Sequence, residues 1–577
     1  MAHTGGGRTD LSPHGGRPYD HDEAEGINGL KPFQHNGTFH PIATGKGLRR
    51  TAVRGAGAAI AGSAGNFAVQ IGSVVILARL LTPSDFGIVT MVTTFSLLLR
   101  SFGLNGFTEL IMQREEVTES LASNLFWINL GIGTLLTLAF ASSGSLLALF
   151  FHNSAVVQVS RGMSLTIWIG CLGYIHTGLL QRAMHFRSTA IINLVGQVLQ
   201  YVVSIGLAIA GWHYWALVWG SVIQTAVVAI GALLVCRWMP SWPSRVSGTG
   251  SGFKFAMNVY WHFAFSYLTR NTDNLLVGWR FGAQALGFYK KAYDLFVLPE
   301  TQLLSPLSAV VVSTLSRVNH DREQFQRYFL RTISVLALVG MGIGADLALV
   351  GQDLIRFLFG PGWDQAGRIF ALFGPGIGVM LLYNTHGWVH LSIGRPERWL
   401  RWGLMEFACT ASLFLLTLRW GPSGTACAWT ASYFLLMFPG FWYAGKPIGL
   451  GIGPVLAVIW KFFVASTVAG SATFLLLRSV PRLATALGAP GALARMITAS
   501  LVFFGLYLGG VIMLHNGLTP INETAGLIRD CLPERTLRRQ GPAAPDATAS
   551  AVTPGCSEDG KLQRRFATVC DDAGAKI

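Results

Sequence analysis

From residue 56 to residue 514 the chain alternates apolar runs of about 20 residues with short polar breaks. A helix of that length crosses the ~30 Å hydrocarbon layer of a bilayer. Lipid offers no water to spare backbone N–H and C=O groups, so such runs predict helices rather than open strands. The runs fall at 56–78, 87–111, 121–143, 160–180, 189–210, 214–236, 256–280, 288–312, 329–350, 366–392, 402–418, 424–443, 455–477 and 496–514. The fold class read from this pattern is an all-α integral membrane protein with about 14 transmembrane helices.

The longest polar break inside the body, Arg237 to Lys254, is rich in Pro and Gly and reads as a linker. It divides an N-lobe at 49–240 (helices 1–6) from a C-lobe at 254–445 (helices 7–12), with the linker at 241–253. Two further helices occupy 446–515, and polar tails at 1–48 and 516–577 read as disordered. The halves echo each other weakly. Ala78–Gly87 (ARLLTPSDFG) follows helix 1, and Gly278–Gly287 (GWRFGAQALG) follows helix 7. Each reads as a short hairpin ending in an apolar residue and Gly. Six helices per half give both halves one orientation, so the repeat is parallel, a layout that transporters use.

Composition agrees: 51% of the 577 residues are hydrophobic and 12% charged. Net charge is +15, a sign that first suggests nucleic acid. Its distribution excludes that reading. Residues 1–45 carry −2, residues 515–577 carry 0, and 46–514 carry +17. The excess lies in the apolar body, not in a basic arm. With the N-terminus in the cytoplasm, inner loops hold about 18 Lys and Arg against about 11 on the outer side. That predicts both termini in the cytoplasm, and the inner membrane follows only from the resemblance given below. The seven cysteines form no CxxC pair, so neither a zinc site nor a disulfide framework is expected. No Walker A loop, HExxH or Gly-x-Ser-x-Gly elbow stands in a suitable context, so the chain reads as no enzyme, without cofactor or metal.

Ionisable residues inside apolar runs carry the candidate chemistry. In helix 7, His262, Ser266, Thr269, Arg270, Asp273 and Asn274 share one face. Arg270 lies mid-run, and Asp273, three residues on, can pair with it. A guanidinium fork suits phosphate because it offers two donors at once. Arg280, Lys290 and Lys291 read as the mouth of a cationic cavity, with Lys290 and Asp294 at i, i+4. In the first half, Arg100 is the counterpart of Arg270, and Asn66 and Gln70 share a face of helix 1. Asp273, Asp294, Asp346 and Glu406 are candidate ion or proton carriers. A structural buried pair, snorkelling lysines and helix–helix amide contacts are the blander readings of the same residues.

Four segments resemble a known family. Ala78–Met91 (ARLLTPSDFGIVTM) is similar to the first-hairpin signature of bacterial polysaccharide-export flippases. These are the lipopolysaccharide and exopolysaccharide transporters of the multidrug/oligosaccharidyl-lipid/polysaccharide superfamily. Gly278–Leu295 (GWRFGAQALGFYKKAYDL) resembles the second-half counterpart. Phe357–Ala366 (FLFGPGWDQA) and Leu391–Glu397 (LSIGRPE) resemble two of the family's loops. The resemblance spans about residues 48–510. It implies two six-helix lobes around a V-shaped cavity, MATE-like, plus two C-terminal helices. It implies flipping of undecaprenyl-diphosphate-linked oligosaccharide by alternating access, with polysaccharide polymerase and export machinery as further partners. A cation-coupled drug exporter of the same superfamily is the first rival. A membrane-bound polysaccharide polymerase or ligase is the second, disfavoured by the short outer loops.

Overall fold

The computed structural model describes residues 31–34, 37–39, 65–114, 116–244, 249–479 and 488–531. The body is helical throughout. The helices are α1 (Gly65–Leu80), α2 (Pro83–Gln113), α3 (Glu119–Ser142), α4 (Ala155–Arg182) and α5 (Phe186–Ile209). They continue with α6 (Tyr214–Cys236), α7 (Thr249–Phe296), α8 (Ser305–Arg317), α9 (Arg322–Phe359) and α10 (Asp364–Tyr383). The last four are α11 (Pro396–Thr417), α12 (Gly421–Gly445), α13 (Ile452–Arg478) and α14 (Gly488–His515). Every predicted apolar run overlaps a helix. Among the described residues, nine helices are long and apolar enough to cross a membrane, so this is a multi-pass membrane protein. The predicted count of 14 crossings adds helices that are shorter or more polar. Residues up to Pro520 form one compact unit and those from Ile521 a second, in which Ile521–Cys531 is helical. The predicted tails at 1–30, 40–48 and 532–577 lie outside the described residues.

Local chemistry sets the helix ends. α2 begins at Pro83, four residues before its predicted start, because Thr82 and Asp85 form a reciprocal capping box. The Thr82 backbone N–H donates to Asp85 Oδ2 at 2.9 Å, and Asp85 N–H returns to Thr82 Oγ1 at 3.3 Å. Within α2, Phe102–Phe107 is a π-turn. At the other end Arg182 of α4 donates to the carbonyls of Ile111 and Arg114, at 2.8 and 2.5 Å. α7 contains one predicted run and the start of the next. It breaks between them at Gly282, where φ is +79° and ψ −175°, a conformation open to glycine alone. The Tyr289 hydroxyl beyond the break donates to Asp273 before it.

The two echoing segments meet. A Cβ built on Gly87 would stand 1.7 Å from the Ala283 carbonyl oxygen, and one built on Gly287 would stand 1.8 Å from that of Pro83. Each glycine therefore lies one turn inside its helix, not at the end of a hairpin, and each admits the backbone of the other half. Around this seam, Arg79 donates to the Leu358 and Phe357 carbonyls at 3.0 and 2.7 Å. Trp363 donates to the Ala78 carbonyl at 2.7 Å. Lys291 lies 4.3 Å over the Phe86 ring. The two halves are locked together at this hairpin end.

The linker end is also organised. Residues 238–244 are not a loose spacer but lie against α3 and α4. Asn124 exchanges hydrogen bonds with the backbone of Ser244 at 2.6 and 2.9 Å. Trp127 stacks on Trp242 at 5.7 Å. The ring of His176 contacts the Trp238 carbonyl at 3.2 Å. Arg245 to Gly248, the part of the predicted break just before Thr249, lie outside the described residues. Part of the predicted tail is docked here as well. Phe33 packs on Trp238 at 5.7 Å, Arg182 lies 5.2 Å over Phe39, and Phe39 N–H donates to the Val117 carbonyl at 3.1 Å. Phe33 and Phe39, aromatic residues in a polar stretch, are half-buried against the core of this half.

Candidate functional site

The kink at Gly282 and the turn after Pro299 bring residues from α7, α11 and α12 to one place. Arg270, in mid-α7, keeps 66% of its side chain exposed. Its Nη1 lies 3.6 Å from Glu300 Oε1, and Glu300 is only 18% exposed. Tyr293, Tyr433 and Glu406 lie within electrostatic reach of the guanidinium. Glu406 lies within electrostatic reach of Tyr383, whose hydroxyl accepts from Trp402 Nε1 at 2.7 Å. A wall of rings backs the group. Tyr293 meets Trp429 at 5.9 Å, Trp429 stacks on Tyr433 at 5.7 Å, and Phe296 stacks on Phe373 at 4.4 Å.

Asp273 is fully buried and does not pair with Arg270, contrary to the expectation from their spacing. Its Oδ2 accepts from Tyr289 at 2.7 Å and from Trp429 Nε1 at 2.9 Å, and its Oδ1 accepts from Asn274 N–H at 2.8 Å. Three donors satisfy a buried carboxylate where a single exposed guanidinium would not. Asn274 is buried too, and donates to Asn271 Oδ1 at 3.0 Å. The side chain of His262 lies outside the described part of the helix.

The other expected residues divide between this site and elsewhere. Lys290 and Lys291 share Asp294, at 2.8 and 3.6 Å. Lys291 is 9% exposed and belongs to the hairpin-end seam. Arg280 is exposed, 5.8 Å over the Phe281 ring. Arg100 sits in the first half, half-buried, donating to the Tyr174 hydroxyl at 3.3 Å. The Asn66 carbonyl accepts from Gln197 at 3.4 Å, and Gln70 is exposed. Asp346 faces α14, where Ser500 donates to it at 3.1 Å. Nearby, Asp353 holds Arg495 through both carboxylate oxygens, at 2.5, 3.1 and 3.2 Å. These contacts fasten α14 to α9.

A cation open on one side and backed by hydroxyls and rings is suited to an anionic, partly polar ligand. Residues 76–368 match the family model described as polysaccharide biosynthesis protein. The chain belongs to this family. Two curated relatives carry related names. One is the succinoglycan biosynthesis transport protein ExoT of Rhizobium meliloti, 24% identical over 63% of this chain and 73% of that one. The other is the teichuronic acid biosynthesis protein TuaB of Bacillus subtilis, 26% identical over 55% and 67%. Among solved structures, the lipid II flippase MurJ in an inward closed conformation aligns with TM-score 0.62 at 14% identity, over 79% of this chain and 99% of that one. An inward-facing MATE multidrug transporter of the MOP superfamily aligns with TM-score 0.51 at 14% identity, over 67% and 94%. These likenesses show the fold. This member of the polysaccharide biosynthesis protein family is thus built as a MurJ- and MATE-like all-α membrane protein.

Sequence reasoning gave no role to Glu300 or to Tyr293 and Tyr433 beside Arg270. Glu300 follows Pro299 at a helix interruption, which was the available signal. The tyrosines gave none, because aromatic residues at helical spacing are ordinary membrane-helix content.

Proposed function

We propose that this protein flips a polyprenyl-diphosphate-linked oligosaccharide across the bacterial inner membrane by alternating access. The observation that carries the proposal is Arg270: a mid-helix guanidinium with most of its donors uncommitted, set beside a wall of tyrosine hydroxyls. A diphosphate cannot cross ~30 Å of hydrocarbon without compensating charge. Arg270 binds the phosphates, assisted by Arg100 and Arg280 with Lys290. Tyr293 and Tyr433 face the glycan, whose hydroxyls suit rings that carry a polar tip. The polyprenyl tail stays in lipid. No covalent bond is made or broken, so the protein acts as a transporter and not as an enzyme. Both termini lie in the cytoplasm and the hairpin end faces outward, as the Lys and Arg distribution favours. The family, the name of ExoT and the fold shared with MurJ support this reading.

The test is reconstitution in vesicles with a defined polyprenyl-diphosphate-linked glycan, followed by leaflet transfer. Wild-type protein is expected to move the lipid and Arg270→Ala to insert normally but fail. Equal transfer by the two removes Arg270 from the site.

A further inference from the structure

Arg270 is exposed but not bare. Among the described residues its one ion pair is with Glu300, at 3.6 Å. Glu300 opens a π-helical turn, Glu300–Leu304, directly after Pro299. Such turns carry an extra residue and recur at functional sites because they re-aim a side chain. Here the aim is inward: Glu300 is set into the wall while Arg270 reaches out of it. The separation is longer than the 2.7–2.9 Å of a charge-assisted hydrogen bond. Glu300 therefore balances the charge of Arg270 without occupying its fork of five donors. Glu406, the other carboxylate in electrostatic reach, makes no ion pair with Arg270 among the described residues, whereas Glu300 does.

A carrier that works in cycles has to close over its site twice, once loaded and once empty. On the loaded stroke the phosphates compensate Arg270. On the empty stroke they are gone, and closing the lobes over an unpaired guanidinium is strongly unfavourable. We infer that Glu300 is the counter-anion of the empty carrier, pairing with Arg270 on the return stroke and giving way to phosphate on loading. This rests on reading Arg270 as a phosphate site. It makes Glu300 a positioning residue with two effects. Its negative charge opposes the bound phosphates and so weakens binding and speeds release. It also permits the return without which there is no net transport.

The test is Glu300→Gln in the full chain, which keeps side-chain volume and removes the charge. By calorimetry, the purified variant is expected to bind farnesyl diphosphate about tenfold more tightly than wild type. In vesicles holding a fluorescent short-chain polyprenyl-diphosphate glycan, exchange of labelled for unlabelled lipid is expected to persist. Net transfer into leaflets that start without the diphosphate-linked glycan is expected to fall at least tenfold. Glu300→Asp, which keeps the charge, should recover part of the net transfer. Unchanged or weaker binding by Glu300→Gln overturns the inference. So does a parallel fall of exchange and net transfer in a variant that remains monodisperse, which is the mark of a merely structural role. If wild type and Arg270→Ala bind farnesyl diphosphate equally or not at all, the reading of Arg270 fails. If binding is lost only in Arg270→Ala and Glu300→Gln behaves as wild type, the Glu300 inference alone fails.

Discussion

Gly87 of α2 rests against the backbone of Ala283 in α7 so closely that a Cβ at position 87 would lie 1.7 Å from the Ala283 carbonyl oxygen. The same relation recurs with the halves exchanged, at Gly287 and Pro83, where the distance would be 1.8 Å. The two pairs are related by the repeat that joins residues 78–87 to 278–287. The obstructing atoms are backbone, so neither side can yield by changing a rotamer. A methyl at either glycine forces the halves apart where they meet.

Gly87→Ala and Gly287→Ala are therefore expected to disfavour closure at the hairpin end. Overpacking of this kind costs about 1–3 kcal/mol, which shifts a balanced two-state equilibrium by about fivefold to 150-fold. Flipping is expected to drop at least tenfold while membrane insertion is kept. A cysteine at Phe86, a buried position in the seam, should become more reactive toward an impermeant maleimide added from outside. Unchanged labelling would show that the seam does not move.

Arg270→Lys separates charge from geometry. Lysine keeps the cation but loses the planar fork that grips two oxygens. Transfer should fall about tenfold and remain above that of Arg270→Ala, measured in the same vesicles.

The Asp273 network is expected to act as a unit. Tyr289→Phe and Asp273→Asn each remove hydrogen bonds to a buried carboxylate, at about 1.5–3 kcal/mol for a charged partner. The double variant should lose less than the sum, with coupling of about 0.5–3 kcal/mol. Thermal unfolding in detergent reads this directly, and strict additivity would argue against the network.

The fastening of α14 can be tested at Arg495. Arg495→Ala leaves Asp353 without its bidentate partner and should destabilise the protein more than the double change Asp353→Ala with Arg495→Ala. The measurement is again the unfolding midpoint, which should recover in the double variant.

Part of the site was legible in the sequence. A charge in mid-run has few tolerable surroundings in a membrane protein, so Arg270 stood out from its position alone. Its partner did not. Helical spacing made Asp273 a candidate because it shares a face with Arg270, but Trp429 arrives from α12 and Tyr289 folds back beyond Gly282, and together they claim the carboxylate. Glu300 reaches Arg270 only because of the same reversal and the turn at Pro299. Lys291, read as lying at a cavity mouth, stands over Phe86 of the first half, a contact that no single segment shows. Asp346 stands opposite Ser500 of α14, a neighbour that its own segment does not reveal.

The chain's own order of apolar and polar residues determined the helices, the internal echo and the basic body. Those are local properties, decided by what one segment does in lipid and by which residues stand within a few turns of each other. The tertiary structure alone decided the pairings: Glu300 with Arg270, Trp429 with Asp273, Gly87 with Ala283. Pairing depends on which helix arrives at which face. That is settled by the close packing of side chains across many helices at once, and no window along one helix contains it.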